Sequence, residues 1–133
     1  MDDGECGPVR GRAGPAGPPM RIATSRPRPD VCLVAPAGEL DMATSPLLRD
    51  HLRRQTSDRP SHLLLDLTAV EFISAAGITL IVDALRNDDG IHGRLQVVTP
   101  PGGPVLRALR LTGVHVLLDI HGTVGDALAA TRH

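Results

Sequence analysis

The chain has 133 residues, enough for one domain and little more. Its 14 basic residues are all arginine and stand interspersed with 15 acidic ones, for a formal net charge of −1. That excludes the concentrated basic stripe that holds nucleic acid by counterion release, and the lack of lysine excludes Schiff-base, lysine-nucleophile and P-loop chemistry.

Residues 1–19 are dense in Gly and Pro with almost no large apolar side chain, so they cannot bury enough surface to offset their ordering entropy. They read as a disordered tail, with the folded domain expected over 20–133 and translation starting at Met1 or at Met20. The tail has no apolar h-region, and no stretch approaches the roughly 20 continuous apolar residues of a membrane span. A cytoplasmic protein is expected. Cys6 and Cys32 are too few for a disulfide framework and fit a reducing compartment as inert thiols.

From Met20 onward strand and helix signals alternate. MRIAT predicts a weak first strand and VCLVAPAG a stronger second one. In TSPLLRDHLRRQ, Ser45 is placed to cap, Pro46 suits the first helical position, and Leu47, Leu48 and Leu52 share one face. SHLLLDL is a short apolar run ending in Asp66, as in a strand covered on both faces. After a loop through Phe72, Ser74 stands where a cap would, and AAGITLIVDALRN keeps helical spacing to Asn87. Its apolar residues span an arc of roughly 200°, wider than one sheet-packing face requires. Ile78 and Val82 on one margin are therefore candidates for a partner-facing patch, the alternative being ordinary core packing.

Gly90 and Gly93 predict a turn, RLQVVT a strand, and PGGPVLRALRLTG a short helix with Pro near its start and Gly past its end. VHVLLDI reads as a last short strand, and Thr123 with Asp126 resembles a capping box opening a terminal helix through Ala130. The fold class is α/β, a single domain with a mixed sheet of four or five strands and helices mainly on one side.

The sequence carries no catalytic constellation. His51, His62, His92, His115, His121 and His133 show no metal-site spacing and lie near no Cys cluster, so solvated or capping roles are expected. There is no Gly-x-Ser-x-Gly elbow and no phosphate-cradling glycine loop. Asp41 and Asp66 lie near strand ends, where α/β proteins place sites, but have neither nucleophile nor metal cluster beside them. No enzyme activity, cofactor or metal is expected.

What remains is GELD at residues 38–41 and DLTAVEFISAAG at residues 66–77. Together these segments resemble the STAS domain of bacterial anti-sigma factor antagonists and of the cytoplasmic part of sulphate transporters. The likeness extends over about residues 20–130 in the order of strands and helices. In antagonists of that family the turn reads Asp-Ser-Ser-Gly, and its first Ser is phosphorylated by the partner anti-sigma factor, a serine kinase. Ser74 here matches the Asp, Ala75 the phosphoacceptor, Ala76 the next Ser, and Gly77 the Gly.

The resemblance implies an anti-sigma factor antagonist that binds a kinase-type anti-sigma factor and so releases a sigma factor. The implied partner surface is Glu39, Asp41, Thr68, Ser74, Ala75, Ala76, Gly77 and Ile78. Alanine takes no phosphate, so the off-switch is absent at residue 75 and a permanently binding-competent form is expected, with Ser74 the neighbouring hydroxyl open to phosphorylation. A helix start of small residues leaves its N–H groups open to a partner, while a plainer reading has SAAG only packing a helix closely on the sheet. An alternative function is a regulatory subunit of a membrane transport ATPase, since small STAS proteins serve there too.

Overall fold

A computed structural model describes residues 20–58, 60–86 and 94–131. The expected tail over 1–19, with Cys6, lies outside the described residues, as do the end of the central helix at Asn87, the Gly90 and Gly93 turn, His92 and His133. The elements run β1 (Arg21–Arg28), β2 (Val31–Leu40), α1 (Ser45–Gln55), β3 (His62–Asp66), β4 (Val70–Ile73), α2 (Ala75–Arg86), β5 (Arg94–Val98), α3 (Pro104–Leu111), a 3-10 turn (Val114–Leu117), β6 (Asp119–His121) and α4 (Val124–Ala130).

The sheet is mixed, in the order β1-β2-β3-β5-β6. Only β1 runs antiparallel to its neighbour, and the pairs β2 with β3, β3 with β5 and β5 with β6 are parallel. The strands number six because Val70–Ile73, expected to be loop, forms β4 on β2. Strand β2 forks as a result. Its first half, Val31–Val34, pairs with His62–Leu65 of β3, and its last residues pair with β4 as Gly38 with Val70, Glu39 with Phe72 and Leu40 with Ile73. The register slips between Gly38 and Glu39. Gly38 has φ +112°, a conformation that a side chain would oppose, so the bulge at the fork requires glycine there.

Strand alternation sorts the core into two layers. Ile22, Cys32, Val34, Leu63, Leu65, Leu95 and Val97 point to one face, where Leu48 and Leu52 of α1, Leu80 and Ile81 of α2, and Val105 and Leu109 of α3 cover them. Val31, Leu64 and Val98 point to the other, where Ala127, Val124 and Leu128 of α4 pack. Three helices on one side and one on the other is the expected arrangement. Cys32 is fully buried, which pushes its thiol pKa up and leaves it unreactive, and Arg26 only partly offsets this.

Two local expectations are corrected. Thr44, not Ser45, is the N-cap of α1; Ser45 is the first helical residue, buried, with its Oγ unpartnered. The VHVLLDI run is a 3-10 turn followed by a three-residue strand, because Val116 and Leu117 face outward and cannot alternate into a core. The capping expectation at α4 holds: Thr123 Oγ1 accepts a hydrogen bond from the Asp126 N–H at 3.0 Å. Among the described residues no helix is long and apolar enough to cross a membrane.

Candidate functional site

The C-terminal ends of β2 and β4 lie side by side, and each leads directly into a helix. The two starts are tied by one hydrogen bond, from the Ser74 N–H to the Leu40 carbonyl at 2.9 Å. That bond brings Glu39 and Asp41 of the GELD segment to the same edge as Ser74, Ala75, Ala76 and Ile78 of the second segment. All the expected site residues but Thr68 therefore converge, although they come from stretches more than thirty positions apart.

The α1 start is polar. Asp41 Oδ1 accepts from the N–H groups of Ala43 at 2.9 Å and Thr44 at 3.0 Å, and from the Thr44 hydroxyl at 3.1 Å. Thr44 Oγ1 lies 2.7 Å from the Glu39 carbonyl, to which it donates, and accepts from the Asp41 N–H at 2.9 Å. Asp41 thus folds the turn as well as lining the edge, while the Glu39 side chain is exposed. The acidic side chain holds the N–H groups of Ala43 and of the N-cap Thr44, and so fixes the turn that leads into α1.

The α2 start is nearly apolar. Ser74 Oγ accepts from the N–H groups of Ala76 at 3.2 Å and Gly77 at 3.4 Å, so the expected cap forms, with long bonds. Ala75 is exposed and Ala76 half-buried, leaving the first turn sterically open. Gly77 is buried beneath them. A Cβ there would stand 2.8 Å from Ile73 Cγ1, 2.8 Å from Leu40 Cγ and 2.9 Å from the Leu40 oxygen. Glycine is what lets α2 sit directly on the two strand ends, so its part in the site is to position its neighbours. Ile78 is half-buried against the main core, which limits its apolar surface at the edge.

Thr68 stands apart. It lies at the turn before β4, exposed, with its hydroxyl donating to Asp66 Oδ1 at 2.5 Å and its N–H to the same oxygen at 3.0 Å. The adjacent Ala69 carbonyl receives the Gly38 N–H at 3.1 Å, so this turn supports the fork from its opposite end.

Three features escaped the sequence. Met42, directly after GELD, is 79% exposed, and Phe72, opposite Glu39 on β4, is 50% exposed, so two large apolar side chains flank the edge. Between the helices runs a groove of about 310 Å³ lined by Met42, Ser45, Pro46, Arg49, Asp50, Ala76 and Thr79. An exposed apolar residue right after a polar capping motif was the only advance signal for the first. The groove exists only once α1 lies beside α2, where Arg49 and Asp83 pair at 3.7 Å.

A mixed sheet with a forked second strand, helices mainly on one face and a small-residue helix start at the fork defines a mixed α/β domain. The chain belongs to the STAS domain family, whose model matches residues 23–127. It is 28% identical over 102 residues, covering 77% of this chain and 82% of the relative, to the anti-sigma-F factor antagonist RsfB of Mycobacterium tuberculosis. The crystal structure of an anti-sigma factor antagonist from Mycobacterium paratuberculosis superposes with a TM-score of 0.75 at 28% identity, over 86% of this chain and 95% of that one. Unphosphorylated SpoIIAA of Bacillus, at 15% identity and a TM-score of 0.67 over 84% of this chain and 96% of its own, shares the fold.

Proposed function

We propose that the chain is an anti-sigma factor antagonist, a regulatory protein without enzyme activity that binds a kinase-type anti-sigma factor and thereby frees a sigma factor. The observation that carries this is the convergence of Glu39 and Asp41 with the open α2 start at Ser74, Ala75 and Ala76, joined by the bond from Ser74 to Leu40. The names of the relatives at 28% identity support the same reading. The docking surface comprises Glu39, Asp41, Ser74, Ala75, Ala76 and Ile78, with Gly77 beneath it, while Thr68 lies outside it at the far end of β4. Acidic side chains next to a helix start carrying partial positive charge give a partner both signs to match in a fixed register.

Residue 75 carries no hydroxyl, so the proposed partner cannot switch the edge off there. The unmodified protein remains binding-competent, and its site of action is the cytoplasm, where sigma factors work. A pull-down from the native host, followed by titration of the purified proteins, tests the reading. Recovery of a kinase-fold anti-sigma factor whose affinity falls about tenfold or more with Glu39→Arg supports it. Failure to recover or bind any such protein overturns it.

A further inference from the structure

The absent hydroxyl at residue 75 raises the question of whether another hydroxyl on this edge can take its place. Each candidate can be followed to its partners. Ser74 Oγ receives the N–H groups of Ala76 and Gly77, and its residue is half-buried. Thr44 Oγ1 is held between the Glu39 carbonyl and Asp41. Thr68 Oγ1 is held by Asp66 at the far end of β4. Ser45 Oγ has no partner but is buried under the groove, out of reach of a second protein.

Thr79 differs from all of these. It is exposed, and its hydroxyl has no hydrogen-bond partner among the described residues. Four positions after Ala75, it lies on the same helical face, about one 5.4 Å turn further along. It also shares the groove with Arg49, a guanidinium whose only partner among the described residues is the distant carboxylate of Asp83. A free, exposed hydroxyl one turn from the open position, with an arginine at hand for a phosphate, is the arrangement a regulatory acceptor needs.

We propose that Thr79 is the phosphoacceptor of this edge, an inference that rests on the proposed kinase-type partner. In the transfer, Thr79 Oγ1 attacks the γ-phosphorus of ATP held by that partner. The bond from the γ-phosphorus to the β,γ-bridging oxygen breaks, ADP leaves, and the hydroxyl proton passes to a base on the kinase. The product carries about −1.5 to −2 charge at Thr79. Arg49 turns from Asp83 to the new phosphate, because a charge-assisted bidentate pair outcompetes a pair at 3.7 Å between half-exposed groups. The phosphate then fills the groove beside Ala76 and adds negative charge next to Asp50 and Asp83, so the partner is released.

The test incubates the anti-sigma factor recovered by pull-down with ATP and, in turn, the wild-type chain and the variants Thr79→Ala, Thr79→Ser, Ser74→Ala and Ala75→Ser, with phosphosites mapped by mass spectrometry. The proposal expects phosphate on Thr79 of the wild type and of Ser74→Ala, on the replacement hydroxyl at position 79 in Thr79→Ser, and none in Thr79→Ala. Thr79→Glu should weaken binding about tenfold or more in titration. Phosphate on Ser74 in the wild type, or phosphate only on Ala75→Ser, overturns the assignment to Thr79 while leaving the antagonist reading intact. Absence of phosphate on every variant despite tight binding also overturns it, and absence of binding overturns the antagonist reading itself.

Discussion

The two helices that begin at the fork, α1 and α2, start within one hydrogen bond of each other and solve the same problem in opposite ways. At α1 the Asp41 carboxylate holds the N–H groups of the turn that leads into the helix, with Thr44 bonded back to that turn, and the buried face of the helix includes a polar residue, His51. At α2 a lone serine caps with bonds of 3.2 and 3.4 Å, the next three residues are Ala, Ala and Gly, and the buried face is apolar. The first start is fixed by polar contacts, the second by close approach of backbone to strand. A start held by its own side chains has little left to offer a partner. One held from beneath, through Gly77, keeps its outer surface free, which suits the α2 start to the docking role proposed for it.

If that contrast is right, the largest effect belongs to Gly77. Valine there must displace Leu40 and Ile73 from contacts that a single Cβ already brings to 2.8 Å, one of them beside the Leu40 backbone oxygen at 2.9 Å. Overpacking of this kind costs about 3 kcal/mol, read as a lowered midpoint in denaturant unfolding with little change of slope. Gly77→Ala should cost less but remain destabilising. An unchanged midpoint for Gly77→Val would mean that α2 is not seated directly on the strand ends.

Asp41→Ala comes next. It removes one acceptor serving two backbone N–H groups and a hydroxyl, so the α1 start should lose about 1 to 2 kcal/mol of stability. Asp41→Asn keeps an oxygen in place and should recover most of the loss. If both variants unfold like the wild type, the carboxylate does not hold the α1 start. Ser74→Ala, by comparison, removes two long bonds and should cost at the low end for a cap, about 0.5 kcal/mol. A loss from Ser74→Ala as large as that from Asp41→Ala would erase the contrast between the two starts.

Much of this was legible in the sequence because Gly and Pro punctuate it clearly. The α1, α2, α3 and α4 helices lie where Pro46, Ser74, Pro104 and Thr123 signal their starts. Strand β4 was not legible, since Val70 and Ile73 are buried while Glu71 and Phe72 are both exposed, a pattern without the alternation that marks a strand. Its pairing depends on the bulge at Gly38, a distant residue. Thr44 and Ser45 are adjacent hydroxyls, and local sequence cannot tell which will cap; the answer lies in the Glu39 carbonyl that receives Thr44. The candidate site residues could be named individually from GELD, from DLTAVEFISAAG and from Ile78 directly after it. Their convergence, and the groove holding Arg49 and Thr79, arise only from the packing of α1 beside α2.

The smallest effect concerns pH and again separates the helices. His51 on α1 is buried, with Nε2 2.5 Å from Thr24 Oγ1 and Nδ1 without a partner. Burial, and after it the Arg54 guanidinium, hold its pKa below the usual histidine value of about 6.5. A proton added to the ring would create a second N–H donor with no acceptor. In the unfolded chain the same ring titrates normally. Between the two pKa values the unfolded state binds more protons, so stability rises with pH there. The contribution is fully present above about pH 6.5 and is lost as pH falls from that point through the lower folded value. Unfolding midpoints measured from about pH 7.5 down to about pH 5 should therefore fall more steeply for the wild type than for His51→Leu, which has no proton to take up at that position. Equal slopes would assign the acid sensitivity to other groups and leave α1 and α2 alike in their buried faces.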